Sequence, residues 1–140
     1  KDGEILKKFH VRDGMGINIL LRNNIKTIII TKEKSMITKK WAKDVNVFKV
    51  YLGAIKKEQI LIKICKKYKI NLDELAYVGD DVNDVEVLKK VGFSAVPQDS
   101  VFQVKKIADF ICKSSGGKGC FREIADFILL SKFSTQTKWY

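Results

Sequence analysis

The 140 residues hold one histidine, His10, and three cysteines, and both scarcities narrow the available chemistry. A histidine-based metal centre or a serine triad is nearly excluded, because a single imidazole must then serve every role. Cys65, Cys112 and Cys120 are odd in number and share no metal-ligand spacing. Cys65 falls on a helical apolar stripe and Cys112 ends a strand-like run, so buried or half-buried thiols in a reducing compartment are expected. No apolar run reaches the roughly 20 residues that a helix needs to cross a bilayer. The opening Lys-Asp-Gly-Glu has no apolar leader segment, so no signal peptide is expected, and a first residue other than Met suggests a fragment or a processed product. Repeats, linkers and low-complexity tracts are lacking as well. Acids, lysines and hydroxyls remain to carry any reaction.

What is present suits one globular domain over residues 1–140, with 46% hydrophobic residues and enough length for a single core. The 27 basic residues outnumber the 16 acidic ones, giving a net charge of +11. Such an excess favours anionic partners in general. The lysines are spread along the chain and fall on the polar faces of predicted helices, among them Lys63, Lys66, Lys67, Lys89 and Lys90. A solvated basic surface explains them better than a nucleic-acid footprint, so neither nucleic acid nor a membrane is the expected partner.

Strand and helix alternate from end to end. Residues 4–11 read as a strand of a hairpin entered through Asp2-Gly3, and 13–23 as a helix. Strands are expected over 25–30 and 47–51, flanking a helix over about 35–43. A helix over 57–68 carries Ile60, Leu61, Ile64, Cys65 and Tyr68 at helical spacing. A helical turn over 71–74, a strand over 75–78, a helix over 84–91 and a strand over 93–96 follow. Residues 100–107 read as helix, 109–112 as strand, 119–130 as helix and 131–140 as a tail, in which Phe133, Trp139 and Tyr140 are apolar enough to dock. This alternation implies right-handed crossovers and a parallel sheet with helices on both faces.

One stretch stands out, Leu75-Ala76-Tyr77-Val78-Gly79-Asp80-Asp81-Val82-Asn83-Asp84. A short apolar run stops at a glycine, and three carboxylates follow within five positions. Open α/β sheets bind ligands at the carboxyl ends of their strands. Adjacent acids there repel unless a cation or donors compensate them, and Mg²⁺ takes one or two carboxylates plus waters and phosphate oxygens. The competing explanation is a helix N-terminus decorated with acids that suit its dipole, with Asn83 as the cap. Two earlier strand ends also present polar groups: Thr31, with Glu33 close behind, and Lys57 at the start of a helix. Singly, Thr31 is as good an N-cap and Lys57 as good a surface charge. In this order, hydroxyl and ammonium can hold phosphate oxygens while a carboxylate holds a cation, a consistent arrangement for phosphoryl transfer.

Thr31, Lys57 and Gly79-Asp80-Asp81-x-Asn83-Asp84 together resemble the second, third and fourth motifs of the haloacid dehalogenase superfamily. Phe9-His10-Val11-Arg12-Asp13-Gly14-Met15-Gly16, Val91–Pro97 and Gly116-Gly117-Lys118-Gly119 with Arg122-Glu123 resemble its small cap-less branch. That branch includes the octulosonate and nonulosonate phosphate phosphatases and the C-terminal domain of acylneuraminate cytidylyltransferases. The resemblance implies a three-layer Rossmann-like α/β fold with a small flap hairpin. It also implies Mg²⁺ on Asp80, with Asp81 and Asp84 orienting waters or Lys57, and a phosphoryl group on Thr31 and Lys57. Arg12, Asp13 and Gly14 would border the substrate, joined by Glu33 and by Lys118 in a loop that reaches a neighbouring subunit. A cytoplasmic homotetramer acting on a phosphorylated sugar acid is the expectation.

Two departures matter. Lys32-Glu33 follows the threonine, where octulosonate enzymes usually have Gly-Arg, and the glutamate is more like the nonulosonate phosphatases. More importantly, the family opens on a strand ending in Asp-x-Asp-Gly, whose first aspartate attacks phosphorus, and these 140 residues contain no such motif. That strand should lie centrally in the sheet. The chain is therefore expected to be part of a longer one, or a degenerate copy stabilised by oligomerisation, and to be inactive on phosphate esters as it stands. The rival expectation is a non-catalytic assembly module of the cytidylyltransferase kind.

Overall fold

Three consecutive isoleucines, Ile28–Ile30, form β1, and they pair in parallel with β2, Lys49–Tyr51, in the register Ile28 to Lys49, Ile29 to Val50 and Ile30 to Tyr51. β-branched residues favour such a strand because their side chains fit a pleated, half-buried surface. A second parallel sheet has the order β3 (Ala76–Val78), β4 (Phe93–Val96), β5 (Phe110–Ile111). The computed structural model describes residues 6–140. They form two compact units, one made of the chain up to Ala54 with Gly117–Tyr140, the other of Ile55–Gly116.

In the first unit, α1 (Val11–Arg22), α2 (Met36–Asp44) and α6 (Cys120–Phe133) accompany β1 and β2. The starts of α1 and α2 have a local cause. The His10 imidazole accepts the Arg12 N–H, and the Ser35 hydroxyl accepts the Thr38 N–H at 3.0 Å, satisfying donors that the first helical turn leaves orphaned. α1 and α6 form the main helix contact, burying Ile19, Leu20, Ala125 and Leu129. The second unit carries α3 (Lys57–Tyr68), α4 (Val85–Leu88) and α5 (Phe102–Lys105), with a core of Leu88, Val96 and Val104. Gly92 is required where it stands: a Cβ there would lie 1.8 Å from the Asp73 carbonyl oxygen.

The bounds of α3 and β4 coincide with the sequence reading, and the strand pairings among the described residues are parallel. Three readings need correction. The strand read over 4–11 lies partly outside the described residues, while 6–10 form no strand and Val11 already opens α1. Side chains tether that segment instead: Lys7 pairs with Glu33, and Phe9 stacks on Trp41 at 4.3 Å between ring centroids. The cap after β3 is Asp81 rather than Asn83, and the turn it starts, Val82–Asp84, is a 3₁₀ helix that leads into α4. The tail is partly ordered structure, since α6 continues through Phe133 and a 3₁₀ turn covers Ser134–Gln136. Beyond it, buried Asn23 clamps the Lys138 backbone, accepting its N–H at 2.9 Å and donating to its carbonyl at 3.0 Å, and Trp139 packs on the α1–α6 core.

Among the described residues, β1 pairs only with β2 and β3 only with β4, so each has one edge without a strand.

Candidate active site

β3 delivers the acids to one point. Its ladder with β4 continues one residue past Val78, where the Gly79 N–H donates to the Ala95 carbonyl at 3.2 Å. The Asp80 carbonyl then accepts the Val101 N–H at 3.1 Å, which fixes the backbone where the carboxylates begin. From there the three aspartates do different work.

Asp81 is a cap: its Oδ1 accepts the Val82 N–H at 2.6 Å, and its side chain also takes the Asp84 N–H. Asp84 is buried, and four donors saturate its carboxylate. Oδ1 accepts from Lys57 Nζ and from the Tyr77 hydroxyl, both at 2.7 Å. Oδ2 accepts the backbone N–H of Asp80 at 3.0 Å and of Asp81 at 3.4 Å. Asp80 and Asp81 are exposed as residues.

Lys57 stands in the first turn of α3, where a cation meets the positive end of the helix dipole and the preceding Lys56 supplies no side-chain cap. The ion pair with Asp84 offsets that placement. The two side chains are 11% and 1% exposed, so the pair is little screened and removing either partner would strand a buried charge.

The surroundings shift these groups in opposite directions. Burial by itself would raise the Asp84 carboxyl. The hydrogen bonds from Lys57 and Tyr77 and the Lys57 charge outweigh it and hold the group below the usual aspartate range. Desolvation, then the bond to Asp84, push the Tyr77 phenol far up, so it remains a donor. Partial desolvation, then the negative Asp84, raise the Asp80 carboxyl; Lys57 opposes this and Asp81 adds to it. The surroundings of Asp80 thus oppose its negative charge, whereas those of Asp84 favour it.

The donor set agrees with a hard cation that completes its shell elsewhere. Among the described residues no three His, Cys, Asp or Glu side chains converge into a cage, which argues against a closed structural site. Mg²⁺ asks for less: one or two carboxylates, with water and phosphate oxygens for the rest. Asp80 fits that role as an exposed aspartate whose backbone is anchored just past the carboxyl end of β3.

Lys57, Asp80, Asp81 and Asp84 therefore come together within the second unit. The other residues singled out in the sequence belong to the first. Thr31 follows β1, and its hydroxyl accepts the Glu33 N–H at 3.2 Å, a local turn bond. Glu33 pairs with Lys7, which also donates to the Thr38 hydroxyl at 3.2 Å. Buried Asp13 accepts the Arg122 N–H at 3.0 Å and so ties α1 to α6. Gly14 is buried at the start of α1, where a Cβ would lie 2.8 Å from Val45 Cγ1, and Arg12 and Lys118 are exposed. A groove of about 410 Å³ runs along the start of α1, with Phe9, His10, Met15, Trp41 and Val45 among its lining residues.

Tyr77 escaped the sequence reading, because an aromatic in a β-type run passes for core. Its signal was the hydroxyl, since a phenol in an otherwise apolar strand needs a partner when buried.

The family model of haloacid dehalogenase-like hydrolases matches residues 16–124. The 3-deoxy-D-manno-octulosonate 8-phosphate phosphatase of Haemophilus influenzae is 34% identical over 128 residues, covering 91% of this chain and 71% of that protein. The chain belongs to the haloacid dehalogenase-like hydrolases. The corresponding phosphatase of Escherichia coli K12 is 34% identical over 131 residues, covering 94% of this chain and 70% of its own length. Among solved structures, the cobalt-bound Haemophilus influenzae phosphatase superposes with a TM-score of 0.89 at 33% identity, over 93% of this chain and 76% of that one. The Moraxella catarrhalis phosphatase in complex with magnesium, phosphate and KDO gives 0.86 at 31% identity, over 89% and 71%. The α/β fold read from the alternating pattern is the fold these enzymes share.

Proposed function

We propose that the chain is the metal- and phosphate-binding part of a Mg²⁺-dependent phosphatase for a sugar-acid phosphate, of the octulosonate 8-phosphate or nonulosonate 9-phosphate type. The observation that carries this reading is Asp84, whose one carboxylate joins a near-buried ammonium, Lys57, to the backbone of Asp80. The solved relatives bound to cobalt or to magnesium and phosphate support it, and they favour a phosphatase over an assembly module.

On this reading Asp80 holds the cation, which when bound neutralises phosphoryl charge. Asp84 occupies one hydrogen of the Lys57 ammonium and leaves two for phosphoryl oxygens, where a positioned donor stabilises charge that grows in the transition state. Thr31 is a phosphate-binding hydroxyl, as the resemblance implies. Arg12, Gly14, Glu33 and Lys118 recognise the sugar acid, with Asp13 holding α1 to α6 and neighbouring copies in a cytoplasmic homotetramer completing the enclosure. Residues 1–140 then form one domain, with the tail beginning after α6.

A covalent aspartyl-phosphate route needs an attacking carboxylate, and the sequence has no Asp-x-Asp-Gly to supply it. We assign that role to an extended segment outside these 140 residues that pairs with the edge of β3 left without a strand among the described residues; without it the chain does not turn over.

The test is phosphate release from both sugar-acid phosphates with Mg²⁺, by the 140-residue protein and by the same protein extended with an Asp-x-Asp-Gly strand. The shorter protein should be silent, and the longer one active until Asp80→Ala is introduced. Activity in the shorter protein would remove the need for an added nucleophile. Silence in both would remove the phosphatase.

A further inference from the structure

We propose that Tyr77 is a positioning residue that orients the Lys57 ammonium through Asp84, an inference that rests on the phosphoryl-transfer reading of this site. The ammonium and the phenol share Asp84 Oδ1, each at 2.7 Å. A carboxylate oxygen has two lone pairs, and here both are in use. Oδ2 is engaged by the Asp80 and Asp81 backbone, so the carboxylate has no face to which the ammonium could slide or turn a second hydrogen. The lysine is thereby limited to one contact and one direction, with its other two hydrogens available to a ligand.

Charge sharing acts in the same sense. The phenol takes up part of the carboxylate's negative charge, which leaves more of the ammonium's field for a phosphoryl oxygen. Removing the hydroxyl would make Oδ1 a stronger, half-vacant acceptor, drawing the ammonium back onto Asp84. The phenol is suited to the task because burial and the adjacent carboxylate keep it protonated. Its ring is itself fixed, packed against the core of Leu88, Val96 and Val104.

The experiment measures binding of orthophosphate in saturating Mg²⁺, and binding of Mg²⁺ alone, for the wild type, Y77F, K57Q and the double variant. Phenylalanine preserves the ring, and thermal melting verifies each fold. Y77F should weaken phosphate binding about fivefold, the scale of one charge-assisted hydrogen bond acting at second hand. Mg²⁺ binding should stay within about twofold, whereas a merely structural tyrosine in β3 would disturb both, since β3 also carries Asp80. In the K57Q background the Y77F change should largely vanish, because coupled residues are not additive. If Y77F melts, site-specific 3-fluorotyrosine, a stronger donor of nearly the same shape, should tighten phosphate binding instead. Unchanged phosphate binding in Y77F or in the fluorinated protein, or the same loss with and without Lys57, overturns the role of Tyr77 alone. A wild type that binds no phosphate in Mg²⁺ overturns this role and the phosphatase reading together.

Discussion

Gly79 and Asp84 touch so closely that the glycine's missing side chain is part of the ion-pair site. A Cβ on Gly79 would lie 2.5 Å from Asp84 Cβ and 2.6 Å from its Cγ. The buried carboxylate can reach the backbone N–H of Asp80 and Asp81 only because that space is empty.

Gly79→Ala should therefore destabilise the protein by about 1–3 kcal/mol, the usual cost of forcing a methyl group into filled space. The strain falls on Asp84, so the backbone amides of Asp80 and Asp81 should exchange faster with solvent while those of α1 and α6 stay unchanged. Urea unfolding and amide exchange check both statements.

Asp84→Asn leaves the Lys57 ammonium buried without its counter-charge, and at neutral pH it should cost about 3–5 kcal/mol. The deficit should depend on pH with a defined sign. The folded carboxyl titrates below its unfolded value, so its stabilisation is complete above the ordinary aspartate range near ~3.9 and is lost as pH falls through the lower, folded value. Wild type and variant should thus converge in strong acid. Replacing both partners, as in K57M/D84N, should recover much of the loss, because no lone buried charge remains. Denaturant midpoints measured across pH test the sign and the recovery.

Asn23→Ala should free the last residues of the chain. The Asn23 amide makes two hydrogen bonds to Lys138 and one to the Ile19 carbonyl at 2.8 Å. Its loss should cost about 1–3 kcal/mol for groups left without partners. Exchange protection of the Lys138 amide should disappear first, well before global unfolding, when followed residue by residue.

The parts of the fold that could be read from sequence were those whose cause is local. α3 shows its apolar spacing over a full twelve residues, and β4 is a short apolar run entered through a glycine, so their limits were legible. The segment before α1 misled because Phe9 is spent on a side-chain stack with Trp41 and Leu6 is left exposed, so neither enters a sheet. The cap at Asp81 was hidden among four residues that could all cap a helix, and only the backbone turn selects one. In the candidate site, the clustering of acids was visible, and the resemblance already set Asp81 and Asp84 beside waters or Lys57, but the capping bond of Asp81 and the phenol on Asp84 were not. The task of Asp84 depends on Lys57 arriving from 27 positions away and on a phenol that looked like filler. Asp13 illustrates the same limit, since its partner, Arg122, lies 109 positions along the chain.

Because Asp81 and Asp84 settle their charges with backbone donors, a lysine and a phenol, the scaffold around them does not depend on a bound ion. A cation departing from Asp80 would strand a single carboxylate on an exposed residue that already meets water. Exchange of a cation at the proposed Asp80 site would thereby be uncoupled from folding, unlike in small zinc domains that melt when stripped. With Asp80 as the proposed ligand, chelation should leave the fold standing and reloading should need no refolding, which thermal melting with and without Mg²⁺ checks.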